Sequence, residues 1–225
     1  MKIAHNYSIM KINYKIKEVR PNVFAVIIKD DYDRAMTFCR VQEFYESPNK
    51  KFRGKDFSIW DYMKWYSSEY KRGFSYGVDW SGFNIPYDVI EKCYDLQVMS
   101  ETPYDDEMYY IFNKISDMKK DGKAYIIGAD SLDSDTFNHE ICHGLYYTNN
   151  QYKQLVNEIT LTIPTKNYSV FQKNLIDMGY TESVVEDEIQ AYLTTNWNYE
   201  RFMGGVSKQD CKELHNEYKM VFKSF

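Results

Sequence analysis

From Ser8 to Val19 the chain alternates, with Met10, Ile12, Tyr14 and Ile16 set against Lys11, Asn13, Lys15 and Lys17. A period of two predicts a strand with one buried face. After Pro21-Asn22, the unbroken apolar run Val23 to Ile28 predicts a second, more buried strand. The period then lengthens. Asp30-Asp31 supplies N-cap chemistry for a helix over 32–46 carrying Ala35, Met36, Cys39, Val41, Phe44 and Tyr45, and Pro48 stops it. A basic loop follows over 47–56, and Ile59, Tyr62, Met63, Trp65 and Tyr66 then give helical spacing from Ser58 to Lys71. The aromatic stretch 74–86, punctuated by Gly77 and Gly82, reads as an ordered loop with short turns. Its rings would either line a groove or pack as core. Pro86 suits the start of a helix to about Asp95, and Pro103 with Asp105, Asp106 and Glu107 opens another through Met118.

Lys123 to Gly128 predicts a further strand, and Ser134-Asp135 offers a cap for a helix over 136–149. Beyond it the pattern is helical: Gln151 to Leu161, Val170 to Met178 ended by Gly179, Val184 to Asn196 started by Thr181 or Ser183, and Ser207 to Phe222. The fold class is therefore α+β, with a small N-terminal part of mixed strands and helices and a mainly helical C-terminal part holding one strand before the 136–149 helix. The length suits a single domain over 1–225, with room for two lobes (about 1–120 and 121–225) flanking a cleft.

Charge narrows the range of partners. The net charge of -5 and pI near 5.5, without a dense Lys/Arg cluster, argue against nucleic acid. The N-terminus has no signal-peptide pattern and no apolar run is long enough to span a bilayer, so a soluble cytoplasmic protein is expected, with no membrane partner. Cys39, Cys93, Cys142 and Cys211 are scattered, without the spacing of a zinc knuckle or a disulfide framework.

The candidate chemistry sits in Thr136 to Asn149. Two of the chain's four histidines fall there, as His139-Glu140-x-x-His143. Positions four apart share one face of a helix, so two imidazoles can hold one zinc ion with the glutamate beside them as general base. Phe137, Ile141 and Leu145 form a separate apolar stripe, with Cys142 read as a small core residue pointing away from the histidines. Asp130, Asp133 and Asp135 read as loop and cap residues. The longer three-histidine motif is absent, because Tyr146 and Asn149 stand where its Gly and His would be. A third ligand must come from elsewhere. His5 and His215 lie in no motif, whereas Glu186-Asp187-Glu188 is embedded in a helix with apolar neighbours. A carboxylate on an apolar face is costly unless it is paired or ligates a metal. Glu188, with Val184, Val185, Ala191 and Tyr192 a turn away on either side, is the best third ligand, and Asp187 or Glu186 would support a histidine from behind.

His139-Glu140-Ile141-Cys142-His143-Gly144, followed by Glu188-Ile-Gln-Ala191-Tyr192, resembles the gluzincin group of zinc metallopeptidases over about residues 123–196. The resemblance implies a zincin-like C-terminal part in which His139, His143 and Glu188 hold one zinc ion. Glu140 would take a proton from the activated water. A downstream Tyr or His would polarise the substrate carbonyl; Tyr192, Tyr199 and His215 are the candidates, with Tyr192 placed first. The expected activity is hydrolysis of a peptide or protein. The rival readings are a non-catalytic protein that keeps such a scaffold to bind a partner, and a zinc hydrolase of a non-peptide substrate.

Overall fold

The computed structural model describes residues 12–80, 82–95, 101–196 and 198–225. The first half of the strand expected from Ser8, and His5 with it, lie outside them. The chain divides into two compact units, one of residues 1–18 and 24–132, the other of residues 19–23 and 133–225. The architecture is α+β.

Apart from residues 19–23, which belong to the second unit, β1 (Tyr14–Arg20), β2 (Val23–Ile28), β3 (Phe83–Pro86) and β4 (Tyr125–Ala129) lie in the first unit and form one sheet in the order β1-β2-β4-β3. The two inner strands are the most apolar. All of Tyr125 to Ala129 is buried, as are five of the six residues of β2. β3 runs antiparallel to β4, pairing Phe83 with Gly128 and Ile85 with Ile126. It corrects the expectation of a loop over 74–86, which contains a strand and a short helix, α3 (Tyr76–Asp79). A four-residue strand ending in proline carries little local signal, and its register comes from β4, about forty residues later.

Helix α1 (Asp31–Glu46) packs on this sheet, capped by Asp30, whose carboxylate accepts from the Asp33 amide at 2.9 Å. Phe38 packs against Gly128 and stacks on Phe83 with ring centroids 5.4 Å apart. A Cβ on Gly128 would come within 2.6 Å of that ring, so the close approach requires glycine. Helices α2 (Ile59–Glu69), α4 (Tyr87–Asp95) and α5 (Pro103–Met118) complete the unit, with a capping box between Thr102 and Asp105 at the start of α5. Three rings of the basic and aromatic loops, Phe52, Tyr76 and Phe83, are core, with Phe52 and Tyr76 both set edge-on to Tyr62, while Trp80 is exposed.

Two buried polar groups of α1 tie the unit together. Arg40 donates to Asp105 at 3.1 Å, to Glu101 at 3.2 Å and to the Phe57 carbonyl at 2.7 Å, joining α1 to the entries of α2 and α5. Glu43 accepts from the Tyr76 hydroxyl at 2.9 Å, while its second oxygen is buried without a hydrogen-bond partner. Burial pushes the Glu43 carboxyl up from its usual range against the hydroxyls of Ser47, Tyr76 and Tyr62.

The second unit is helical: α6 (Asp135–Thr148), α7 (Asn150–Thr162), α8 (Thr165–Asp177), a 3₁₀ turn (Glu182–Val184), α9 (Val185–Thr195), α10 (Glu200–Met203) and α11 (Lys208–Lys223). Helix α9 is its centre and packs against α6, α7, α8 and α11. That position explains why Ile189, Gln190, Ala191 and Leu193 have no solvent exposure. Helix α8 begins five residues before the expected Val170, directly after Pro164. The expected cap of α9 at Thr181 or Ser183 is replaced by the 3₁₀ turn, with Val184 at the cap position. Among the described residues no helix is long and apolar enough to cross a membrane.

Candidate metal centre

Ser134 starts α6 by accepting from the Phe137 amide at 3.0 Å, which sets the phase of the helix. Phe137, Ile141, Leu145 and Cys142 are buried, and burial pushes the Cys142 thiol up to about 12, a core residue rather than a nucleophile. Asp130 and Asp133 are exposed. His139 and His143 lie on the face that meets α9, their ring centroids 4.8 Å apart.

Helix α9 answers with one stripe. Glu188, Tyr192 and Thr195 recur at helical spacing toward α6. One Glu188 oxygen lies 3.4 Å from His139 Nε2 and the other 3.6 Å from His143 Nε2. One ligand atom from each of the three residues fits within 4.8 Å of the others. Two ligands at zinc distance and tetrahedral angle stand about 3.3–3.4 Å apart, close to each of the two His–Glu edges, which are made by different oxygens of Glu188. Glu188 is buried, and its Oε2 has no hydrogen-bond partner. A buried carboxylate oxygen left this way is costly, and a bound cation would reduce that cost. The neighbouring acids separate in the same turn: Glu186 is exposed and Asp187 half-buried.

The far nitrogen of each imidazole is held. His143 Nδ1 meets Asp187 Oδ1 at 2.9 Å. His139 Nδ1 lies 3.4 Å from Thr195 Oγ1, whose own proton goes to the Ala191 carbonyl at 2.8 Å, leaving a lone pair toward the ring. Both rings therefore turn Nε2 toward Glu188, the arrangement expected of supported metal-ligating histidines. Burial opposes a charge on His143, but Asp187, Glu188 and Glu140 together carry its imidazole well above the usual histidine range. A metal would displace that proton on binding.

Glu140 is half-buried, and its charge acts on His143, Tyr180 and Tyr192. The Tyr192 ring stands edge-on to His139 with centroids 4.7 Å apart, and its hydroxyl is 3.2 Å from that of Tyr180. Tyr199 stacks on Tyr192 and reaches the surface. His215 is engaged elsewhere, donating from Nδ1 to the Leu193 carbonyl at 2.8 Å. Tyr180 was not singled out by the sequence. It arrives through the end of α8, where Gly179 at φ 105° lets the Gly179 and Tyr180 amides bond back to Ile176 and Leu175. The Gly-Tyr pair after a helical run was the available signal, but nothing local says what the ring meets.

No protein-family model matches the chain, and neither a curated protein nor a solved structure shows significant similarity to it. The likeness to gluzincins therefore stands on the residues of α6 and α9 alone.

Proposed function

We propose that the protein is a zinc-dependent hydrolase of the metallopeptidase type, acting on a peptide or protein, with His139, His143 and Glu188 as ligands of one ion. The observation that carries this reading is the buried Glu188 carboxylate, which faces Nε2 of both histidines and leaves one oxygen without a hydrogen bond. Two nitrogens and one oxygen are a donor set suited to zinc with an open position. An ion held there supplies water activation and carbonyl polarisation. The chain's own work is to position and to move protons. Asp187 and Thr195 fix the imidazoles, Glu140 takes a proton from water and delivers it to the leaving amine, and the Tyr180–Tyr192 hydroxyl pair offers a donor to charge developing on the substrate oxygen.

Zinc stoichiometry and hydrolysis of a mixed fluorogenic peptide set test the reading together. The wild-type protein should take up one equivalent of zinc. Glu188→Ala should lose it where Glu186→Ala does not, and Glu140→Gln should keep the ion while losing hydrolysis. Failure to bind zinc even when it is supplied would falsify the metal centre. A protein that binds zinc yet cleaves nothing would instead be a non-catalytic scaffold.

A further inference from the structure

Behind the metal-ligand face, α9 and α7 carry a buried polar chain that the ligand set does not require. Gln190 and Tyr152 have no solvent exposure. The Tyr152 hydroxyl donates to Gln190 Oε1 at 2.8 Å, Gln190 Nε2 donates to Asp187 Oδ1 at 2.9 Å, and that same oxygen meets His143 Nδ1 at 2.9 Å. We infer that Gln190 and Tyr152 are positioning residues for the His143 ligand, acting through Asp187; the inference rests on the metal-centre reading above.

The direction of each bond follows from what each group can do. An ionised Asp187 only accepts, so the glutamine must turn its NH₂ toward it and its carbonyl oxygen toward Tyr152. The tyrosine then has to donate. The reversed amide would set oxygen against oxygen at the Asp187 end, and that end decides the orientation. One orientation satisfies every member, and a network satisfied in one way only is rigid. The Cys142 thiol and the Thr194 hydroxyl flank Tyr152 on its remaining side.

Asp187 needs this help. Its side chain is 28% exposed, whereas that of His143 is 6% exposed, so an unrestrained carboxylate would swing into water and release the ring. Gln190, three residues on along the same helix, reaches the carboxylate from the protein side and holds it over His143. With Nδ1 bonded to a fixed acceptor, His143 keeps Nε2 toward Glu188. Burying an amide and a phenol in the centre of a helical unit is otherwise costly.

Zinc affinity measured against a competing chelator tests the assignment, with exchange of the His143 Nδ1–H proton followed by NMR in the zinc-loaded protein. Gln190→Leu should weaken zinc binding about 10–100-fold, the usual cost of losing an outer partner, and Tyr152→Phe by about tenfold. In both, the Nδ1–H proton of zinc-bound His143, no longer held by a fixed Asp187, should exchange with solvent faster than in wild type. Tyr218→Phe is the control. It removes a buried tyrosine hydroxyl of the same unit, paired with Thr160 at 2.8 Å, and should leave zinc affinity unchanged. If Tyr152→Phe and Gln190→Leu bind zinc within twofold of wild type, or if Tyr218→Phe weakens binding as much as Tyr152→Phe, the assignment is wrong. Should Gln190→Leu fail to fold, Tyr152→Phe decides alone. A wild-type protein that takes no zinc would overturn the metal centre itself, a different result from any of these.

Discussion

Replacing Arg40 by methionine should be among the most damaging single changes to the first unit. The guanidinium is 4% exposed and donates to two carboxylates and one carbonyl. Breaking a buried ion pair from one side costs about 3–5 kcal/mol, because the partner stays behind uncompensated. Asp105 is not wholly abandoned, since the Glu101 and Thr102 amides still donate to it at 3.0 and 2.9 Å. The expected loss is therefore at the lower end, about 3 kcal/mol, or about 6–12 °C in Tm for a chain of this length. The deficit should also depend on pH. Burial raises the Asp105 carboxyl above its usual range, while Arg40 and the cap amides pull it down. A carboxyl raised in the folded state contributes stability below its unfolded pKa and loses it as pH rises through the folded pKa. Without Arg40 that folded pKa climbs further, so the variant should fall behind wild type at neutral pH and approach it near about pH 4. Urea unfolding at both pH values, with Asp105→Asn in the same background, measures this. The double variant should be less damaged than the two single losses summed. An Arg40→Met protein within about 0.5 kcal/mol of wild type at neutral pH would refute the reasoning, since that is the range of an ordinary surface change.

Gly128→Ala should cost about 1–3 kcal/mol in urea unfolding, because the new methyl meets the Phe38 ring. Adding Phe38→Leu should recover part of it, and an additive double variant would show that the ring is not the obstacle. Glu43→Gln should gain on wild type as pH rises from about 4 to about 8, because Tyr76 keeps its partner and the rising cost of the buried carboxylate disappears. The gain should vanish near about pH 4, where wild-type Glu43 is protonated in both states; a gain that grew with acidity would contradict the sign.

Much of this architecture is visible in local chemistry. Asp30, Ser58, Thr102, Ser134, Asn149 and Ser207 each cap the helix that follows, and such caps need only the next few residues. The elements and boundaries that escaped lack such a signal. β3 exists because β4 is beside it, α8 opens behind a proline that makes no side-chain cap, and α10 is a single turn. The candidate site divides in the same way. His139 and His143 are legible from their spacing, and Glu188 from an acid among apolar neighbours. Asp187 was separable from Glu186 only once the phase of α9 was known. Tyr180, Gln190 and Tyr152 matter through partners on other helices, and one sequence holds no trace of those pairings.

The donors of the triad come from only two helices, α6 and α9, with α7 and α8 between them in the chain. An ion there would act as a reversible cross-link, closing a loop of 45 residues from His143 to Glu188. In the chain-entropy picture a link across a loop of that size is worth about 4 kcal/mol against the unfolded state. Metal loading and the integrity of the helical unit would then be one equilibrium. A chelator would do more than silence the site, because it would also free the two intervening helices from the tether that limits their excursions.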